Sequence, residues 1–186
     1  MAEQLSRHYS AVSSPEAALD QAVAWALGRV GGQLRVGPAG TRIRDWTEAE
    51  IADLLADARL WCRVRSDAVM DPANFLERVV GGLLGAQSDG IGGRLELVPW
   101  LPDGWRTLVV RRLRVHRTLV DVDIRARAEW VTVRLAVAFG PPIAVALGLP
   151  GHFGVARVAV DEVPLPAERA IFTAAGEHEV TLYLGA

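Results

Sequence analysis

Lysine is absent from this 186-residue chain, and cysteine occurs once, as Cys62. A single thiol excludes an intramolecular disulfide and any cysteine-rich metal site, and it fits a reducing, cytoplasmic setting. All 20 basic residues are arginine, interspersed with 22 acidic ones for a formal net charge of -2. No single-sign face is readable, so neither nucleic acid nor another polyanion is expected as a partner. The arginine, alanine, valine and glycine bias reads as the mark of a GC-rich coding sequence. Long apolar runs are also missing. The most apolar stretch, Val131 to Leu149, is broken by Arg134, Gly140 and Pro141-Pro142, so no segment of ~20 apolar residues can span a membrane as a helix. Residues 1–9 have no apolar core of the length a signal peptide needs.

What remains is an ordinary globular composition, with half the residues hydrophobic and enough chain to bury about 70% of its unfolded surface. Residues 1–12 lack periodicity and read as a flexible arm. Ser13 and Glu16 have capping-box spacing, Pro15 suits a first helical turn, and Leu19, Val23, Ala26 or Leu27, and Val30 recur at helical spacing before Gly31-Gly32. These signals place a first helix at about 15–30. Thr47 with Glu50 opens a second, carrying Ile51, Leu54, Leu55, Ala58 and Trp61 on one face. Asp71-Pro72 opens a third, whose wide stripe of Phe75, Leu76, Val79, Val80, Leu83 and Leu84 ends at Gly85 and implies burial on more than one side.

After the glycine-rich turn at 88–93 the period changes from 3.6 to 2. Val120, Val122, Ile124 and Ala126 alternate with Asp121, Asp123 and Arg125, and Val131, Val133, Leu135, Val137 and Phe139 alternate with Thr132, Arg134 and Ala136. Further strands are expected at about 94–98, 107–116, 143–149, 154–160, 169–173 and 178–184. The expected fold class is therefore α+β: a C-terminal antiparallel β-sandwich over 93–186, preceded by about three helices in a small helical region over 13–92.

Candidate chemistry is sparse. His8, His116, His152 and His178 lack the close spacing of a metal motif, and no metal or cofactor is expected. His152 lies in a turn where a ligand contact is conceivable. The glycine clusters at 31–32, 81–82 and 90–93 match no phosphate-binding fingerprint, and Gly81-Gly82 within a helical stripe reads as a close packing contact. Glycoside hydrolysis needs an acid and a base across the sugar. Glu48, Glu50, Asp53, Asp57, Asp67, Asp89 and Glu96 are carboxylates in reach of such a role, but Glu50, Asp53 and Asp57 read as a solvated helix face. Trp100 and Trp105, in Pro99-Trp100-Leu101-Pro102-Asp103-Gly104-Trp105, are the candidate carbohydrate contacts. The loop reads first as an interface and second as a sugar platform. Trp25, Trp46 and Trp61 fit helix packing.

The order of motifs from Val79 to Trp105 resembles the exit of the catalytic barrel in bacterial (α/α)6-toroid glycosidases, above all the glycogen-debranching and amylo-α-1,6-glucosidase-like proteins. In that family a last helix runs through a GLLG-x-x-x-D loop into a strand and then P-x-L-P-x-G-W ahead of a C-terminal sandwich. The matching positions are Gly82 to Gly85, Asp89, Arg94 to Val98, and Pro99 to Trp105. The strands at 113–122 and 177–182 fit the same sandwich, and residues 13–30 look more weakly like a first barrel helix. A toroid has twelve helices, whereas about three fit here, so no catalytic residue is carried over. The resemblance implies a noncatalytic sandwich module with a structural, assembly or glycan-contact role. The alternatives are one part of a split or truncated glycosidase acting on α-glucans with a separate barrel polypeptide, and a small-molecule carrier with an apolar cavity between sheet and helices. Homo-oligomerisation through exposed helix faces is a further expectation.

Overall fold

The computed structural model describes residues 10–37, 46–66, 68–88 and 94–185. Most of the expected arm, the middle of the glycine-rich turn, Asp67, Asp89 and His8 lie outside them. The helices are α1 (Ala17–Arg29), α2 (Glu48–Val64) and α3 (Pro72–Arg78), the last continued by a π-helical turn at Val79–Leu83. The strands are β1 (Ala11–Ser13), β2 (Ala86–Ser88), β3 (Leu95–Leu97), β4 (Thr107–Val115), β5 (Thr118–Ala126), β6 (Trp130–Phe139), β7 (Ile143–Leu147), β8 (Val155–Val160), β9 (Val163–Leu165), β10 (Ala170–Ala174) and β11 (Glu177–Leu184). No helix among the described residues is long and apolar enough to cross a membrane.

The strands form a seven-stranded sheet, β1-β4-β5-β6-β11-β8-β9, and a four-stranded sheet, β10-β7-β3-β2. The fold is α+β with a sandwich-like pair of sheets. One pairing departs from the antiparallel expectation: β3 runs parallel to β7, with Leu95 opposite Val145 and Leu97 opposite Leu147. The alternation read from sequence sets the inner face of the large sheet, where Val120, Val122, Ile124, Val133, Leu135, Val180 and Leu182 are all buried. These residues, the apolar stripes of all three helices, and Leu95, Leu97, Val145 and Leu147 of the small sheet belong to one hydrophobic cluster. Burying so many aliphatic side chains, each stabilising by about 1.5–3 kcal/mol, makes helices and sheets one cooperative body.

Helix starts follow their capping chemistry unevenly. At α2 the box forms: the Glu50 N–H donates to Thr47 Oγ1 at 3.3 Å and the Thr47 N–H donates to Glu50 Oε2 at 2.9 Å. At α3, Asp71 accepts from the Ala73 N–H at 2.9 Å. The Ser13–Glu16 box does not form. Ser13 is held in β1 opposite Val109, so Ser14 does the fastening instead, donating from Oγ to Asp20 Oδ1 at 2.8 Å.

Residues 11 and 12, expected in the loose arm, are likewise strand residues paired with Val110 and Arg111 of β4. Ser10 is buried and donates to the Arg112 carbonyl while accepting from the Leu34 N–H, both at 2.8 Å. A three-residue strand is too short to display a period, which is why the arm concealed it. Within β4 the pairing to β5 shifts between Val110 and Leu113, and Arg112 adopts φ +55°. The N–H this bulge leaves unpaired donates to Asp121 Oδ1 at 2.8 Å.

Candidate functional site

The two expected carbohydrate contacts sit where the helices meet the sheets. Gly85 ends the π turn with φ +56°, and its carbonyl accepts from the Val98 N–H at 3.0 Å. One residue pair further on, the Trp100 N–H donates to the Leu83 carbonyl at 3.0 Å. The loop is thus sewn by its backbone to the end of the third helix. Both indoles are half-buried and pack against the core. The Trp100 ring also lies 4.6 Å from His152, which is in turn 4.3 Å from Phe153. Trp105 follows a turn at Asp103-Gly104 that its N–H closes by donating to the Pro102 carbonyl at 3.0 Å. Replacing Trp105 by Ala is expected to lower stability by about 2–3 kcal/mol, less than for a wholly buried aromatic, and to leave glycan retention intact. Chemical denaturation and a glycan-retention assay on the same variant check both halves; retention lost at unchanged stability would make the ring a sugar platform.

Several of the other ionisable candidates are engaged structurally. Glu50 caps α2, Asp57 pairs with Arg78, and Glu96 with Arg169 at 2.8 Å. His178 Nδ1 lies 2.8 Å from Asp161 Oδ2, while Asp161 Oδ1 accepts from the Glu179 N–H at 2.8 Å. That backbone bond, and then His178, hold the Asp161 carboxyl below the usual carboxylate range. Glu16 is lowered chiefly by its hydrogen bond from Arg59. Groups shifted this way favour the folded state above their ordinary pKa, and that contribution is lost as pH falls through their lowered folded values. No three of the described His, Cys, Asp and Glu residues are grouped as a metal site would require.

A cleft of about 640 Å³ opens between the end of α1, α3 with its π turn, and β2. Its size falls within the range of about 300–1,000 Å³ usual for small-molecule sites. Trp46, just ahead of the α2 cap, forms part of its wall, and Gly81, Val80 and Leu76 part of its floor. A Cβ built on Gly82 would lie 2.7–2.8 Å from three adjoining atoms of the Trp46 benzo ring. Near-equal distances to Cδ2, Cε2 and Cε3 put that position over the ring face. The indole is therefore laid flat on the glycine, and the expected close packing at Gly81-Gly82 belongs to Gly82 alone: a Cβ on Gly81 would meet nothing within 4 Å. Val80 and Gly81 of the π turn line the cleft, and such turns are rare and frequent at functional sites. Arg35, Asn74, Glu77 and Gln87 also line the cleft. Sequence reasoning placed Trp46 with the packing tryptophans. Trp25 and Trp61 do pack together, centroids 4.8 Å apart, and Trp46 packs on Gly82 while also lining the cleft.

No protein-family model and no curated protein matches the chain. Among solved structures, an α-L-rhamnosidase from Dictyoglumus thermophilum is similar at 10% identity and a TM-score of 0.47, over 62% of this chain and 14% of that one. A GH127 β-L-arabinofuranosidase from Geobacillus stearothermophilus T6 is similar at 12% identity and 0.43, over 62% and 19%. A Streptomyces avermitilis α-L-rhamnosidase complexed with L-rhamnose follows at 12% and 0.40, over 61% and 11%. These neighbours are glycoside hydrolases. Each covers part of this chain, and the chain spans less than a fifth of the length of any of them.

Proposed function

We propose that the chain is a noncatalytic sandwich module, related to the terminal region of glycogen-debranching-like glycosidases, whose work is packing and glycan contact. The supporting observation is the single core shared by the helices and both sheets. The three helices spend their apolar stripes on one another and on the sheets, leaving a body that offers a preformed cleft. Of the described residues lining that cleft, Glu77 is the one carboxylate, whereas hydrolysis sets two carboxylates across the sugar. The purified chain is therefore expected to retain glycans without releasing glucose from α-glucans. A glycan-array screen alongside a reducing-sugar assay tests this. Glucose release abolished by a carboxylate substitution would overturn the noncatalytic reading, and absence of retention on every glycan would overturn the contact role. The small-molecule carrier is the second reading, favoured by the position of the cleft between helices and strands; preferential uptake of an apolar dye over any sugar would support it.

A further inference from the structure

We infer that the cleft beside Trp46 takes an uncharged pyranoside, whose apolar face meets the aromatic and aliphatic wall while its hydroxyls meet Asn74, Glu77, Gln87 and Arg35. The inference rests on the glycan-contact reading above and adds the place and the ligand class.

Three features of the cleft carry it. The first is chemical. Asn74, Glu77, Gln87 and Arg35 line it, and none of their side chains has a hydrogen-bond or ionic partner among the described residues. Two amides, a carboxylate and a guanidinium together supply donors and acceptors in the mixture that a ring of hydroxyls matches, each hydroxyl being both. The second is electrostatic. Arg78, also on the wall, is neutralised by Asp57 across the α2–α3 contact, and Arg35 and Glu77 are opposite in sign. With no net excess of either charge, a phosphorylated or acidic ligand gains nothing over a neutral one, and desolvating its charge would cost more. The third is shape. Trp46 is held flat by Gly82, so its orientation is fixed before any ligand arrives, which removes part of the ordering cost of binding. Beside it, Gly81 leaves open the volume its side chain would fill. The pairing of an aromatic wall with planar polar groups suits a flat, amphipathic ring better than an extended apolar chain.

Ligand-observed saturation-transfer NMR on the full chain tests the inference with methyl α-D-glucopyranoside, maltotriose and, as a charged counterpart, glucuronate. The wild type is expected to show transfer to the neutral sugars and at least about tenfold weaker binding of glucuronate. Gly81→Leu sets its Cβ where nothing lies within 4 Å and adds an isobutyl group to the cleft lining; it is expected to abolish transfer while keeping a wild-type thermal transition. If that variant fails to fold, Asn74→Ala, at an exposed position in the first turn of α3, carries the test, with an expected loss of about three- to tenfold in affinity. Neutral-sugar binding that survives both Gly81→Leu and Asn74→Ala would overturn the placement and leave the module reading standing. Glucuronate bound as well as the neutral sugars would overturn the ligand class. No transfer to either neutral sugar by the wild type would overturn the inference, and the module reading falls with it only if the glycan array is also blank.

Discussion

Gly85→Ala is expected to be among the most damaging single changes in the chain, lowering stability by about 3–4 kcal/mol. Gly85 occupies the left-handed region at φ +56°, which costs a residue with a Cβ about 1–2 kcal/mol. The greater part of the loss is steric: the added Cβ would fall inside the Val98 carbonyl, and backbone, unlike a flexible side-chain end, cannot swing away. Relief requires β3 and the third helix to separate, breaking the Val98-to-Gly85 and Trp100-to-Leu83 hydrogen bonds. Chemical denaturation measures the loss directly, and a cost below about 1 kcal/mol would show that the helix end and the strand are not clamped there.

Trp61→Ala is expected to cost about 3–5 kcal/mol, whereas Trp61→Phe should stay within about 1 kcal/mol of the wild type. Trp61 is 4% exposed and stacks with Trp25, so alanine leaves a large cavity in the α1–α2 contact. Its Nε1 is buried with no hydrogen-bond partner among the described residues. Phenylalanine loses volume but removes this unsatisfied donor, whose burial costs about 1–3 kcal/mol, and the two changes oppose one another. The Arg65 guanidinium, 4.9 Å from the ring centroid, keeps a weaker aromatic face in Phe. If the Phe variant is as unstable as the Ala variant, the indole N–H has a partner in solution.

The long strands are legible in the sequence because one face of each is buried and the other wet, so β4, β5, β6 and β11 write a period of two into it. The wide stripe from Phe75 to Leu84 is equally legible, since all six of its residues are buried. What stays hidden is short or set by distant partners. β1, β2 and β9 have three residues each, too few for a period, and Pro164 in β9 has no N–H to give a ladder. The parallel pairing of β3 with β7 depends on which segments meet in space, which alternation does not encode. At the candidate site, the double glycine announces a close contact, but nothing local names Trp46 as the residue lying on Gly82.

The parallel β3–β7 pairing also bears on the order in which the chain folds. The β4–β5–β6 meander closes through short turns, so its pairs form at small loop entropy. The four-stranded sheet has no such shortcut. β3 leaves that sheet, the chain lays down the whole meander, and only then does β7 return to lie beside β3. The loop to be closed is already largely structured when its ends meet, and contacts of long sequence separation form late. Until β7 arrives, β3 has an unpaired edge on the side away from β2, and the inner face of the meander lacks the complete opposite sheet. The β3–β7 pairing is therefore expected to form after the meander, and until it does the open edge of β3 is available to a neighbouring chain.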